Sequence, residues 1–197
     1  LVAGAVASAV RDLGLPPGLY SSLVGDGAGI GQALVAHPAI AAVGFTGSRA
    51  AGRALVEVAA ARPVPIPVYA EMSSVNPTVL LPSALDADRV AGYVGSLTLG
   101  AGQYCTNPGI LFVPHGEAGD DFVRMLADGL AVVTGGTLLT SGIRDAFGHE
   151  RDAIAATPGV ARLARGIDGP ALNAPGPRLL TAGSAELRDR PGLQGEM

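Results

Sequence analysis

Lysine is absent from the 197 residues, and all 13 basic positions are arginine. That excludes a phosphate-loop lysine, a Schiff-base lysine and a Ser-x-x-Lys dyad from this chain. Cysteine occurs once, at Cys105, so no internal disulfide and no cysteine-built zinc site can form. The three histidines, His37, His115 and His149, lie far apart without metal-ligand spacing, and no metal centre is expected. Charged residues make up only 15%, and the arginines do not gather into a stripe, so nucleic acid is not an expected partner. No run is apolar for long enough to cross a bilayer. The apolar start, Leu1 to Val10, lacks a basic leader and runs into Arg11-Asp12. No membrane partner and no targeting segment are expected, and the chain reads as cytoplasmic.

What is present is an apolar chain. Hydrophobic residues account for 48%, mean hydropathy is +0.38 and the net charge is −4, so a sizeable core can be buried. Both ends read as cut from a longer chain: the first residues carry no initiator methionine, and Gly192 to Met197 stop without a closing helix.

In chain order, residues 2 to 13 read as an amphipathic helix ended by Gly14 and Pro16-Pro17-Gly18. Leu19 to Val24 reads as a short strand. The turn Gly25 to Gly31 follows, then a helix over Gln32 to Ala36. Glycines between strand and helix let backbone approach a ligand, although their spacing is not the dinucleotide fingerprint. Ile40 to Phe45 has the continuous apolar pattern of a strand buried on both faces. Thr46-Gly47-Ser48 then opens a helix over about Arg49 to Ala61. Ser48 suits an N-cap, and the unpaired N–H groups of a helix start suit a phosphate. A proline-broken stretch, Arg62 to Pro67, leads to the strand Val68-Tyr69-Ala70-Glu71, whose terminal carboxylate needs water, a partner or a function. Thr78 to Leu81 reads as a strand and Asp86 to Leu99 as a helix. Alternating strands and helices imply a parallel α/β architecture. Residues 120 to 193 read as helices, Asp121 to Ala131 and Ile143 to Ala156, joined by Pro/Gly-rich connections. Asp120-Asp121 and the run Glu186 to Arg190 read as solvated faces.

The cysteine lies in Gly100-Ala101-Gly102-Gln103-Tyr104-Cys105-Thr106-Asn107-Pro108-Gly109, a turn between a helical and a strand-like run. A lone cysteine is usually a small buried hydrophobe. One in a turn held between rigid elements can instead be an exposed, aimed nucleophile.

Three segments together resemble the aldehyde dehydrogenase superfamily. Phe45-Thr46-Gly47-Ser48 with Gly52 is similar to that family's FTGS-x-x-x-G phosphate turn. Glu71-Met-Ser-Ser-Val-Asn76-Pro77 resembles its Glu-Leu-Gly-Gly-x-Asn-Pro segment, with Ser73-Ser74 in place of the glycine pair. Gly102-Gln103-Tyr104-Cys105 resembles its Gly-Gln-x-Cys loop, and Glu196 stands where a Glu-x-Phe-Gly-Pro motif would start. The segment from Met125 through Leu138 to Ile143 and on to Leu193-Gln194, together with the serine pair, looks most like the branch of 2-oxoglutarate semialdehyde (2,5-dioxovalerate) dehydrogenases and NADP-linked fatty-aldehyde enzymes.

The resemblance implies an aldehyde dehydrogenase-like α/β fold: residues 1-70 as the later part of a Rossmann-like dinucleotide-binding domain, and 71-197 as a truncated catalytic domain. It implies NAD or NADP as cofactor, an aldehyde as substrate and a homodimer or homotetramer. It makes Cys105 the nucleophile and Glu71 the general base. Gly47 and Ser48 would hold the pyrophosphate, Gly25 to Gly31 the adenine side and Glu196 the nicotinamide ribose. The family's oxyanion asparagine would lie upstream of Leu1, so neither Asn76 nor Asn107 is expected to fill that role. Aldehyde oxidation needs a nucleophile because a free aldehyde releases hydride poorly. A thiol of ordinary pKa, about 8.5, is already partly ionised at neutral pH. Two other readings are an acylating, coenzyme A-dependent relative and a non-catalytic remnant; Glu71 and the intact Cys/Glu pair argue against them. The isolated chain is expected to be inactive.

Overall fold

The computed structural model of the chain describes residues 1–194. Contacts divide the chain into one unit from Leu1 to Ser73 and another starting at Ser74.

The first unit runs α1 (Val2–Asp12), a single 3-10 turn at Pro17–Leu19, α2 (Gly27–Ala36), β1 (Val43–Thr46), α3 (Arg49–Ala60) and β2 (Val68–Glu71). Strands β1 and β2 pair in parallel with α3 as the crossover, the unit that the apolar and helical periods imply. Helix α3 packs on α2 and β2 and buries Ala59 and Gly52. A methyl at Gly52 would come within 2.9 Å of the Met72 side chain, so that glycine lets α3 lie close to the segment after β2.

Three local expectations are corrected here. Leu19 to Val24 forms no strand: after the 3-10 turn the chain is irregular, and Leu23 and Val24 are exposed. Pro16 and Pro17 remove ladder donors just before it, and among the described residues no strand pairs with it. From Gly27 onward the glycine-rich stretch is not a turn before a helix but the first part of α2. Asp26 caps it, accepting from the Gly29 N–H at 2.7 Å, and this local bond favours a helix start over a loop. Strand β1 begins at Val43, not Ile40, and alternates half-buried with exposed residues. The Arg62 guanidinium donates to the carbonyls of Val35, Pro38 and Ile40, so Ile40 is held in a turn and only Val43 onward is free to pair. The alternation shows one face of β1 partly covered and the other open to solvent.

The second unit runs β3 (Thr78–Val79), α4 (Ala87–Thr98), β4 (Leu111–Phe112), α5 (Glu117–Ala131), α6 (Ser141–Ala155), β5 (Ala161–Arg165), β6 (Arg178–Thr181) and α7 (Ser184–Asp189). Its core joins α4 to α5 through Val90, Phe122 and Leu126, with Leu80, Leu111 and Leu179 packed around them. Phe122 and Leu130 are fully buried, and such a side chain contributes about 1.5–3 kcal/mol. The exposed Arg124–Asp121 pair contributes about 0.2–1 kcal/mol, so apolar packing and not charge pairing holds this unit. Strands β3 and β4 are parallel with α4 between them.

Residues 120 to 193 hold more than helices and connections. Strands β5 and β6 form an antiparallel pair, with an irregularity between Arg162 and Ala164. Beside it, backbones pass so closely that a methyl at Gly176 would lie 2.4 Å from the Gly166 oxygen. Asp168 accepts from the Gly176 N–H and pairs with Arg165. That bond, and then the arginine, hold its carboxyl below the usual carboxylate range.

Candidate active site

The parallel register of the first unit sets Thr46 beside Glu71 at the carboxyl ends of β1 and β2. The Gly47 N–H continues the ladder by donating to the Glu71 carbonyl at 3.1 Å. Ser48 caps α3, its Oγ accepting from the Ala51 N–H at 3.3 Å. The Ser73 hydroxyl accepts from the Arg49 N–H at 3.2 Å. Three donors around the turn are therefore occupied. Among the described residues, the Ser48 and Ala50 N–H groups donate to no protein acceptor. The Ser48 hydroxyl, already an acceptor, keeps its own hydrogen to give. Two open N–H groups and a hydroxyl at the start of a twelve-residue helix fit an anionic phosphate. Glu71 is exposed at the end of its strand.

Gly25 and Gly31 do not share this turn. Gly25 precedes the Asp26 cap, with the Ile30 side chain against it. Gly31 lies inside α2, where an added methyl would meet Leu55 of α3 at an ordinary 3.7 Å. Glu196 lies outside the described residues.

In the second unit Cys105 is exposed, in the connection between α4 and β4. Gly100, Ala101 and Gly102 take left-handed backbone angles, φ 58°, 59° and 76°, and turn the chain sharply out of α4. Four neutral side chains then brace the loop. Gln103 accepts from the Leu139 N–H at 2.8 Å and donates to the Gly100 carbonyl at 3.0 Å. Asn107 donates to the Leu97 carbonyl of α4 at 2.7 Å. Tyr93 of α4 donates to the Pro108 carbonyl at 2.8 Å, and burial pushes its hydroxyl pKa up to about 12. Asn76 donates to the carbonyls of Cys105, at 2.6 Å, and Asn107, at 3.0 Å. The turn is closed by the Asn107 N–H donating to the Tyr104 carbonyl at 3.0 Å. The Cys105 N–H donates to no protein group among the described residues.

Sequence reasoning named the thiol but not its braces. Tyr93 carries no signal, being one aromatic on a helix. The amides of Gln103, Asn76 and Asn107 stood inside the matched segments but had no assigned task.

The described residues thus combine an α/β fold, an exposed thiol on a braced loop and a helix start with open N–H groups. Comparison with known proteins supplies the family. The aldehyde dehydrogenase family matches residues 1–143. Alpha-ketoglutaric semialdehyde dehydrogenase 2 of Azospirillum brasilense is 53% identical over 84% of this chain and 32% of its own length. The alpha-ketoglutaric semialdehyde dehydrogenase of Acinetobacter baylyi is 37% identical over 100% of this chain and 38% of its own. The solved NAD-dependent benzaldehyde dehydrogenase of Corynebacterium glutamicum superposes with a TM-score of 0.70 at 21% identity, over 92% of this chain and 41% of that one, a likeness of fold. The chain belongs to the aldehyde dehydrogenase family, and it spans about a third of the length of these two curated relatives. No helix among the described residues is long and apolar enough to cross a membrane.

Proposed function

We propose that this chain supplies the nucleophile and the general base of an NAD(P)-dependent dehydrogenase that oxidises an aliphatic semialdehyde, such as 2-oxoglutarate semialdehyde, to the acid. The observation that carries the reading is the exposed Cys105 on a four-fold braced loop, its own N–H unpaired. The names of the two curated relatives support the substrate class.

The Cys105 thiolate adds to the aldehyde carbon, and the carbonyl oxygen becomes an oxyanion. The Cys105 N–H is a donor for that oxyanion. The adduct is a thiohemiacetal on Sγ, one step from losing hydride. Bound NAD(P)+ supplies the hydride acceptor. The acyl group then remains on Sγ as a thioester. Glu71 takes a proton from a water as that water attacks the acyl carbon, and the thiolate leaves with the bonding pair. The acid departs and Cys105 is restored.

Ser48 and the Ala50 N–H would hold the cofactor's diphosphate. Gly47, whose N–H is taken by Glu71, keeps the approach free of a side chain. Residues near Gly25 would line the adenine side, and Glu196 would take the ribose. Residues 1-70 thus act as part of the dinucleotide-binding domain and 71-197 as part of the catalytic domain, with a homodimer or homotetramer as the working form.

The test is formation of reduced nicotinamide by the protein carrying this chain, across a panel of semialdehydes, with and without coenzyme A. Coenzyme-independent turnover that vanishes in Cys105→Ala is expected. Turnover surviving that substitution overturns the reading.

A further inference from the structure

Asn76 is one of two non-glycine residues with positive φ among those described, at 46°, and it stands directly before Pro77. Backbone of that kind costs free energy and persists only where surroundings enforce it. The enforcing contacts are all on the side chain. Both hydrogens of its amide are used, one on the Cys105 carbonyl and one on the Asn107 carbonyl. Its Oδ1 accepts from the Ser74 hydroxyl at 2.9 Å. Two carbonyl oxygens accept but never donate, so only the NH2 edge of the amide can face them. Ser74 fills the opposite edge and opposes a flip of the amide. The Gly109 N–H donates to the Val75 carbonyl at 2.9 Å, so residues 74 to 76 meet both the middle and the end of the thiol loop.

We propose that Ser74 and Asn76 are positioning residues: Ser74 fixes the Asn76 amide, and the amide fixes the Cys105–Thr106 peptide plane and so the direction of the thiol. This rests on the reading of Cys105 as nucleophile. It gives the serine at position 74, where the resembled motif has glycine, a task that glycine cannot perform. Asn76 is also excluded as an oxyanion donor, because its N–H groups are spent within the loop. No part of the device ionises near neutral pH, so it holds the thiol without charging or discharging it.

The experiment uses the protein carrying this chain as wild type, Ser74→Ala, Ser74→Thr, Asn76→Asp and Cys105→Ala. Two readouts are taken: kcat with KM for the aldehyde, and the iodoacetamide alkylation rate of the Cys105 peptide, followed by mass spectrometry across pH. Alkylation needs neither cofactor nor turnover. A misplaced nucleophile costs on the order of 10–100-fold in rate. Ser74→Ala is therefore expected to lower kcat by about tenfold or more with KM nearly unchanged, and to change the alkylation rate by a similar factor at every pH. Ser74→Thr, which keeps the hydroxyl, is expected to restore both. Asn76→Asp is expected to be worse, since a carboxylate would face two carbonyls. Ser74→Ala and Asn76→Asp proteins that are folded and match wild type in both readouts overturn the proposal. Equal loss in Ser74→Thr and Ser74→Ala also overturns it. Turnover that survives in Cys105→Ala counts against the nucleophile reading instead, and the alkylation profile then still decides whether residues 74 and 76 set the thiol's exposure.

Discussion

The Gly47 N–H donates to the Glu71 carbonyl at 3.1 Å, one step beyond the Thr46–Glu71 pair of the parallel ladder. Two segments separated in sequence by a whole helix are thereby locked in register. The turn that opens α3 is tied to the backbone at the end of β2. The bond uses only backbone, so the Glu71 side chain stays free for chemistry. Glu71→Gln should therefore leave stability within about 0.5 kcal/mol of wild type, as for an exposed substitution, while slowing hydrolysis of the acyl-enzyme. Urea unfolding and single-turnover kinetics on the protein carrying this chain check the two halves.

Ser48 caps α3, and in the proposed function its hydroxyl also faces the cofactor's diphosphate. Ser48→Ala removes the cap on the Ala51 N–H and should cost about 0.5–2 kcal/mol. It also removes a hydroxyl donor from the open helix start, so the Kd for NAD(P) should rise. Equilibrium unfolding and cofactor titration separate the effects. Loss of stability with unchanged cofactor affinity would leave Ser48 as a cap alone.

Ala101 sits at φ 59° between two glycines that adopt the same hand. A left-handed alanine costs about 1–2 kcal/mol, part of which glycine recovers. Ala101→Gly should be neutral or stabilising by up to about 1 kcal/mol. Gly100→Ala should destabilise, since its methyl would lie 2.5 Å from the Tyr104 ring. The denaturant midpoint should fall for Gly100→Ala and hold or rise for Ala101→Gly.

Tyr93 gives a pH signature. Its folded pKa, raised by burial to about 12, lies above the ordinary tyrosine value of 10.0. Below pH 10 both folded and unfolded states hold the proton, and the contribution is fully present. Between pH 10 and 12 the unfolded chain releases it first, so stability falls as pH rises through that window. Tyr93→Phe should flatten this alkaline decline and lose the bond to Pro108, worth about 0.5–1.5 kcal/mol at neutral pH. Unfolding free energy measured from pH 8 to 12 checks it.

Much of the fold was legible where one physical signal dominated. Ser48 before a helical period marked α3, and Val68 to Glu71 marked β2 to the residue. Where two signals competed, local chemistry won. Gly27, Gly29 and Gly31 read as a flexible turn, but a single Asp26 cap makes them helical. Strands β5 and β6 carry Arg162, Arg165 and Arg178 and show no clean alternation, and the close glycine backbones beside them leave no pattern in hydropathy. Cys105, Glu71 and Ser48 were legible as candidates because their residue types fit the chemistry and their neighbours fit a motif. The bracing of the thiol loop was not, since it joins Asn76 to Cys105 and Gln103 to Leu139 across distances that only folding closes.

The most direct measurement is the mass of the Cys105 peptide in Glu71→Gln protein, quenched after one turnover with a semialdehyde and NAD(P)+. An acyl adduct on Cys105 that accumulates in Glu71→Gln, is transient in wild type and is absent in Cys105→Ala is the expected result. Turnover in Cys105→Ala, or turnover in which no acyl group ever resides on Cys105, would contradict the account.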